Sequence, residues 1–373
     1  MLNSFIFGLS FSCRFSFLMH ASPLGAPTGF ASCVPRRCSA RCTGRVGVSR
    51  VGRTSIAAVG DPGPVQNEAP VVIYEDATML AVDKPHRLSF HSDDLERVEA
   101  GLATDPAPGL LATIRALQQA GTLQGTSYTG PLHSVHRLDK VTSGICVFAK
   151  SKETASIISK QFASRNAHKY YVALSNRKPS KKMGTVKGEM TQARRGAWKL
   201  LRPDSHKGKE NETKTSSNDG KNKTKTTGFA ITKFVTRGMS TSTGSFRLFI
   251  LKPNTGRTHQ LRVCCKSLGA PILGDMTYAG ADAKNLDRTY LHAAALRFAM
   301  PSENKNYRLV EIFSKPSVGE HWVGSEFDTV WTKCGFGDIA KGGVDTWFGD
   351  SSLLRSSASE LVDNVLDEDS RDV

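Results

Sequence analysis

The chain has 373 residues and a formal net charge of +16, with 50 Lys and Arg against 34 Asp and Glu. This length allows one large domain or two small ones, and the basic balance favours a polyanionic partner. The sequence argues against a membrane-spanning protein and a zinc protein, because no segment is long and apolar enough to cross a bilayer and the cysteines include no Cys-x-x-Cys pair.

Residues 1–60 have the composition of an organellar targeting presequence. They contain seven Arg, no Lys and no acid, and they are rich in Ser. Import sequences for mitochondria and plastids share this composition. We therefore expect a disordered presequence and a location in a mitochondrion or chloroplast, with an untargeted disordered segment as the alternative.

Residues 71–85 predict a β-hairpin, because two apolar runs flank an acidic turn and end at Lys84 and Pro85. Residues 94–128 predict an insertion with a helical centre. Its large apolar residues recur at helical spacing: Leu110, Leu111, Ile114 and Leu117.

The most informative run is HRLDKVTSG at residues 136–144. It places one acid, Asp139, between Arg137 and Lys140, ahead of a predicted Thr-Ser-Gly turn and an apolar run that predicts a buried strand. A carboxylate at a strand entrance can be kept ionised by a nearby Arg and directed at a substrate. The alternative is a surface ion pair or a local cap.

Residues 145–174 predict a strand, a helix over 154–162 and a second strand with two adjacent tyrosines, Tyr170 and Tyr171. Successive side chains on a strand face opposite ways, so only one of them can face a given cleft. The alternative is that both tyrosines simply pack in the core.

Two basic segments follow. Residues 187–201 contain Arg194, Arg195 and Trp198, which could contact phosphates and a base or could form a basic hairpin. Residues 204–227 are Lys-rich and lack Leu, Ile, Val and aromatic residues, which predicts a disordered insertion in a loop.

A second motif, GRTHQLR, lies at residues 256–262 after a predicted strand over 246–251. We expect Thr258 to cap a helix that starts directly after it. Arg257, His259 and Arg262 then lie at the helix start, where backbone donors and the positive end of the dipole favour an anion. The alternative is a solvated basic turn.

Residues 317–373 form a C-terminal extension with three Trp and an acidic tail. The tryptophans indicate that part of this extension packs, whereas the acidic end is expected to be mobile.

Taken together and in chain order, these motifs resemble the signature of the RluA-type pseudouridine synthases. The resemblance rests on HRLD at 136–139, on the Lys and the second Tyr of 169–171, on GRTHQLR, and on LGAPI and GDMTY at 268–278. It implies an α+β pseudouridine synthase fold over residues 68–316, with a mixed, mostly antiparallel sheet around a central catalytic cleft.

The resemblance also implies which residues act. It assigns catalysis to Asp139, Tyr171 and Arg262, and substrate binding to Arg137, Arg257, His259 and Gln260. Asp139 would be the catalytic carboxylate, as nucleophile or as base, and Arg262, or Arg257 after it, would keep it ionised. Tyr171 would cover the uracil, and Arg137 would replace the extruded base or hold the backbone.

The function implied is conversion of uridine to pseudouridine in ribosomal or transfer RNA, by a monomer that needs no cofactor, metal or membrane. Three alternatives stay open. The first is an inactive RNA-binding protein on the same fold, and the second is a basic structural protein of an organellar ribosome. The third is a hydrolase that uses His133 or His136 with Asp139.

Overall fold

A computed structural model of the chain describes residues 69–92, 108–201, 226–242, 244–301 and 307–336. The predicted presequence, the Lys-rich insertion up to residue 225 and the acidic tail lie outside these ranges. Their predicted disorder and targeting therefore stay predictions.

The described residues form eleven strands and four α-helices. The strands are β1 (Val71–Glu75), β2 (Met79–Lys84), β3 (His133–Ser134), β4 (Ser143–Ala149), β5 (His168–Ser175), β6 (Met183–Gln192), β7 (Trp198–Leu201), β8 (Thr226–Thr241), β9 (Gly244–Pro253), β10 (Leu291–Pro301) and β11 (Tyr307–Phe313). The helices are α1 (Leu110–Gln119), α2 (Lys152–Ala163), α3 (Gln260–Ser267) and α4 (Ser325–Lys333).

All eleven strands belong to one sheet. Its main path runs β1-β2-β4-β10-β5-β9-β8-β6-β7, while β3 pairs with β4 and β11 pairs with β10. Among the described strands, β4 and β10 form the only parallel pair, over Ser143–Gly144 and His292–Ala293. The sheet is therefore mixed and mostly antiparallel, which confirms the fold class that the resemblance implied.

Strand β4 lies in the interior of this sheet, third along its main path, and every one of its residues is buried. Its apolar run reads as continuous because both faces are covered, as is typical of a central strand. Antiparallel β2 pairs along its full length on one side. On the other side, β10 pairs only at its start and β3 only at its end.

The turn before β4 differs from the predicted one. It spans Asp139 to Thr142, closed by a hydrogen bond from Thr142 N to Asp139 O at 3.0 Å, and Ser143 and Gly144 already belong to the strand. Gly144 has φ +106°, and a Cβ there would lie 2.3 Å from the carbonyl oxygen of Ala293. Glycine is needed for the close parallel approach of β10, not for the turn.

Part of the C-terminal extension packs into the main core, as its tryptophans indicated. Trp322 is 1% exposed, and Phe327 and Trp331 of α4 are also buried. They join a cluster that contains Leu248 and Ile250 of β9. Residues 319–336 therefore share a core with the sheet, and Trp347 lies outside the described residues.

Candidate active site

The turn that carries Asp139 is anchored from both sides. Leu138 is 5% exposed and packs with Phe148 and other core residues, while Asp139 itself is partly exposed. Thr142, at the other end of the turn, is buried. The carboxylate is thus held at the entrance of β4, as the sequence predicted.

The side chain of Lys84, at the end of β2, connects the Asp139 turn to the β1–β2 hairpin through hydrogen bonds. Its side chain is fully buried, and Nζ donates to the carbonyl oxygens of Pro85 at 2.8 Å, Leu88 at 2.7 Å and Lys140 at 3.3 Å. Burial lowers the pKa of Lys84 to about 8, with a smaller opposing effect of the Asp139 charge. These three bonds use the donors of the ammonium group, so Lys84 positions the residue next to Asp139.

The loop between β9 and α3 is held by Gln260, whose side chain is 6% exposed. Its Oε1 accepts from Thr255 Oγ1 at 2.7 Å and from Arg257 N at 3.0 Å. Its Nε2 donates to Ile231 O at 2.9 Å and Thr232 Oγ1 at 2.8 Å. The resemblance gave Gln260 a contact to substrate, whereas these four bonds occupy the side-chain amide within the protein.

The start of α3 differs from the prediction by one residue. The N-cap is His259, not Thr258, and it adopts a left-handed conformation at φ 58° with no side-chain cap. The chain enters the helix through a tight turn in which Gln260 N donates to Arg257 O at 3.0 Å, and no side chain caps the helix. Arg257 is exposed on this turn, and its Nε donates to Phe229 O at 3.4 Å.

His259 does not line the cavity described below; its imidazole is turned toward Tyr278. Nδ1 lies 3.0 Å from the Tyr278 hydroxyl, which also accepts a hydrogen bond from Trp198 N at 2.8 Å. Burial, and the charge of Arg262 after it, lower the pKa of His259. A neutral imidazole whose Nδ1 accepts a hydrogen bond from the Tyr278 hydroxyl fits this geometry.

Arg262 forms a buried bidentate pair with Asp275. Nε and Nη2 donate to the two carboxylate oxygens at 2.7 and 2.8 Å, and Nη2 also donates to Thr277 Oγ1 at 2.8 Å. Burial alone would lower the pKa of Arg262, but the Asp275 contact outweighs it and the pKa is raised, with a smaller contribution from Asp139. Arg262 therefore acts on Asp139 through its charge, while its direct partner is Asp275.

The two tyrosines of β5 face opposite ways. Tyr170 is 2% exposed and packs in the core, with the Lys252 ammonium 5.2 Å from its ring centroid. Tyr171 lines the same cavity as Asp139, and burial raises its pKa. Tyr171 is thus the tyrosine on the face of β5 toward Asp139.

These elements enclose one cavity of about 430 Å³. Its lining includes residues 136–139, 142, 162, 163, 165, 169, 171, 253–258, 260, 261 and 291. Asp139 is the only acid among these lining residues, and it shares the cavity with four cationic side chains: Arg137, Arg165, Lys169 and Arg257. Such a cavity suits a polyanion that must present one group to a carboxylate.

His136 at the cavity wall supports the sheet. Its Nε2 accepts a hydrogen bond from Val147 N at 3.0 Å, on the side of β4 between the partners β3 and β10. The ring stacks on Phe162 with a centroid distance of 4.8 Å. Burial lowers the pKa of His136 to about 3, so the ring is neutral and occupied, which disfavours its use as a hydrolase base.

Several residues of this region were not singled out from sequence. Lys84, Arg165 and Asp275 carried no role there, and Lys169 served only to align the tyrosines. The sequence signals for three of them are the Lys-Pro at the end of β2, the Lys two residues before Tyr171, and the Gly-Asp at 274–275. The contact of Lys84 with Lys140 joins positions 56 residues apart, so sequence spacing does not reveal it.

The basic segment 187–201 folds as a hairpin of β6 and β7. Trp198 is 7% exposed and packs with Val263 and Tyr278, so its indole is part of the core. Within the described residues, no helix is long and apolar enough to span a membrane. The same part of the chain has no cluster of three side chains suited to a metal ion.

Sequence comparisons match this chain to RNA-modifying proteins. A family model described as RNA pseudouridylate synthase matches residues 78–267. A Haemophilus influenzae protein named as an uncharacterized RNA pseudouridine synthase is 36% identical over 252 residues, covering 68% of this chain and 90% of the relative.

Two further relatives carry more specific names. The dual-specificity RNA pseudouridine synthase RluA of Vibrio cholerae is 32% identical to this chain. The match covers 62% of this chain and 77% of the Vibrio protein. The ribosomal large subunit pseudouridine synthase C of Rickettsia prowazekii is 29% identical to this chain. The match covers 60% of this chain and 61% of the Rickettsia protein.

Proposed function

The chain belongs to the RluA-type family of RNA pseudouridine synthases, and we propose that it converts uridines of ribosomal or transfer RNA with Asp139 as the catalytic residue. It is an isomerase that acts on RNA. The observation that carries the role of Asp139 is its place as the one acid among the lining residues of a cavity with four cationic side chains.

The reaction is an isomerisation and needs only what a protein can supply. The bond between N1 of uracil and C1′ of the ribose breaks, the base turns, and C5 bonds to C1′. N1 gains a proton and C5 loses one, so no atom or electron is exchanged with another molecule. A carboxylate next to C1′ and a pocket that retains the detached base satisfy these requirements.

The other lining residues suit the holding of an extruded nucleotide. The Tyr171 ring lies on the same cavity wall and can cover one face of uracil, as aromatic side chains do for flipped bases. Arg137 is exposed two residues before Asp139 and can take the place of the base in the stack or hold its phosphate. Arg257 offers a second exposed guanidinium from the loop that Gln260 holds.

His259 and Arg262 take supporting roles in this proposal. Arg262 contributes a buried positive charge that Asp275 keeps in place. His259 fixes the start of α3 through Tyr278. In this proposal, His259 and Arg262 support the surroundings of Asp139 and do not contact the RNA.

Ribosomal RNA is proposed as a target because one named relative is a ribosomal large subunit enzyme. Transfer RNA is proposed as the second target class, and the name of a dual-specificity relative is compatible with action on more than one RNA. Loops of structured RNA also present bases that can be unstacked at low cost.

The test replaces Asp139 with Asn, which keeps the shape and removes the negative charge. Purified wild type and Asp139→Asn are incubated with ribosomal and transfer RNA transcripts, and pseudouridine is counted by mass spectrometry of nuclease digests. We expect the variant to form pseudouridine at less than about one thousandth of the wild-type rate. Its RNA affinity should stay within about threefold, because phosphate contacts dominate that affinity.

A matched control is Asp282→Asn. Asp282 is an exposed acid paired with Arg177 and does not line the cavity, so this variant should keep full activity. Full activity of Asp139→Asn would refute its catalytic role. Tight RNA binding by a wild type that modifies no transcript would favour an inactive RNA-binding protein.

A further inference from the structure

Arg165 stands in an unusual backbone conformation next to the active-site cavity. It follows Ser164, the C-cap of α2, and has φ 67°. Asn166 N bonds Gln161 O at 2.9 Å across this residue, which is the pattern of a Schellman motif. The left-handed position of that motif is usually Gly, because side chains with a Cβ are disfavoured there.

The side chain of Arg165 explains why a non-glycine residue could be useful at this position. Arg165 is exposed and lines the cavity that contains Asp139. Among the described residues, no carboxylate pairs with its guanidinium. An exposed guanidinium of this kind offers two parallel donors that match the oxygens of a phosphate.

Lys169 reinforces the positive charge at the same wall. It lies two residues before Tyr171 on β5, so both side chains are on the face of the strand toward the cavity. Its ammonium lies 5.4 Å from the centroid of the Phe162 ring, at the end of α2. The turn after α2 and the start of β5 thus present two cations beside the proposed uracil pocket.

We propose that Arg165 binds a backbone phosphate of the RNA next to the target uridine, with Lys169 adding to the positive potential. This inference rests on the proposed function, since it names a contact of that same site. A phosphate contact here would fix the register of the strand without reading its sequence. Arg137 and Arg257 come from two other loops, so the three guanidiniums would hold the backbone from three chain segments.

The geometry allows a test that separates charge from folding. Arg165→Gly removes the guanidinium and also relieves the left-handed backbone, so the folded protein should melt at the same or a higher temperature. Arg165→Lys keeps a positive charge. Arg87→Gly is the matched control, because Arg87 is also exposed and left-handed, at φ 65°, but lies outside the cavity lining.

Binding of a short fluorescein-labelled oligouridylate is measured by anisotropy across a range of salt concentrations. We expect the logarithmic salt slope of Arg165→Gly to fall by about 0.7, which corresponds to about fourfold weaker binding near physiological salt. Arg165→Lys and Arg87→Gly should keep the wild-type slope.

Each other outcome decides against the proposal. An unchanged slope in Arg165→Gly, or an equal loss in Arg87→Gly, would overturn the phosphate contact while leaving the proposed function intact. A lowered melting temperature with the same loss of binding would make Arg165 a structural residue. A wild type without salt-dependent binding would contradict the proposed function itself, and this contact with it.

Discussion

Two buried polar side chains, Lys84 and Gln260, hold the loops that carry the proposed catalytic and RNA-binding residues. Lys84 donates to three carbonyl oxygens, one of them on Lys140 beside Asp139. Gln260 makes four hydrogen bonds that set the backbone before Arg257. Because buried polar groups are costly when unpaired, such fully used side chains favour one loop conformation over others.

Three histidines give the fold a dependence on pH. Burial lowers the pKa of His136 and His292 to about 3 and that of His86 to about 4. Between about pH 6.5 and pH 3, these histidines are therefore protonated in the unfolded chain but stay neutral in the folded one. The stability that these three neutral histidines contribute is fully present above about pH 6.5 and is lost as the pH falls through this window.

His136→Gln tests this argument at one residue. Gln can still accept the hydrogen bond from Val147 N but does not titrate. We expect the free energy of unfolding, measured with urea at several pH values, to lose about 1.4 kcal/mol less per pH unit near pH 5 than in the wild type. An identical pH slope in both proteins would show that His136 is not held neutral.

At this scale the sequence predicts residues whose signal is local. The HRLD run identified Asp139, and strand alternation restricted the cavity-facing tyrosine to one of two. The sequence does not mark Lys84 and Gln260 as supports, because each also bonds a segment that lies far away in sequence. Lys84 and Lys140 are 56 residues apart, and Gln260 and Ile231 are 29 apart.

Among the elements, β4 and β10 determine where Asp139 lies. They approach in parallel over two residues, and β10 then diverges to pair with β11. The gap beside β4 is occupied by His136, whose imidazole accepts the Val147 amide hydrogen bond. The entrance of β4, and with it the turn of Asp139, is therefore fixed by a close backbone contact at Gly144.

Gly144→Ala should disrupt this contact. The new Cβ would lie 2.3 Å from Ala293 O, and φ +106° is unfavourable for Ala. We expect the free energy of unfolding to fall by about 3 kcal/mol or more, by urea denaturation. Gly121→Ala is the control, since Gly121 has φ +66° but nothing within 4 Å, and it should cost about 1 kcal/mol. Equal effects of the two changes would contradict the close approach.

The β1–β2 hairpin, strand β4 and helices α1 and α2 were predictable because their apolar periodicity is local. The β1–β2 hairpin, α1 and α2 lie where the sequence predicted them, with shifts at their ends. The parallel pairing of β4 with β10 was not predictable, since Ser143 and His292 are 149 residues apart. The predicted start of α3 is wrong by one residue because His259, in a left-handed conformation, is the N-cap, and no side chain caps the helix.

For the molecule as a whole, the C-terminal segment 319–336 completes the core that lies behind β9. Trp322, Phe327 and Trp331 form a chain of ring contacts from Tyr290 to Phe336. A buried Phe or Trp contributes about 3–5 kcal/mol, while a whole domain has only about 5–15 kcal/mol of net stability. The extension is thus part of the folding unit.

Truncation tests this conclusion. A chain that stops after Val318 loses these aromatic residues, and we expect it to be unfolded or insoluble at 25 °C. A chain that stops after Phe336 keeps them and should melt within a few degrees of the full chain. Circular dichroism of both proteins checks the result. A cooperatively folded protein ending at Val318 would show that the sheet folds without residues 319–336.

The central claim is that this protein forms pseudouridine in RNA with Asp139 as its catalytic residue. Mapping of the modified sites tests it most directly. Pseudouridine is mapped in the ribosomal and transfer RNA of cells that lack this protein and are supplied with wild type, Asp139→Asn or nothing. We predict that one or a few sites vanish without the protein and return only with the wild type. Sites that return equally with Asp139→Asn, or RNA in which no site depends on the protein, would contradict the assignment.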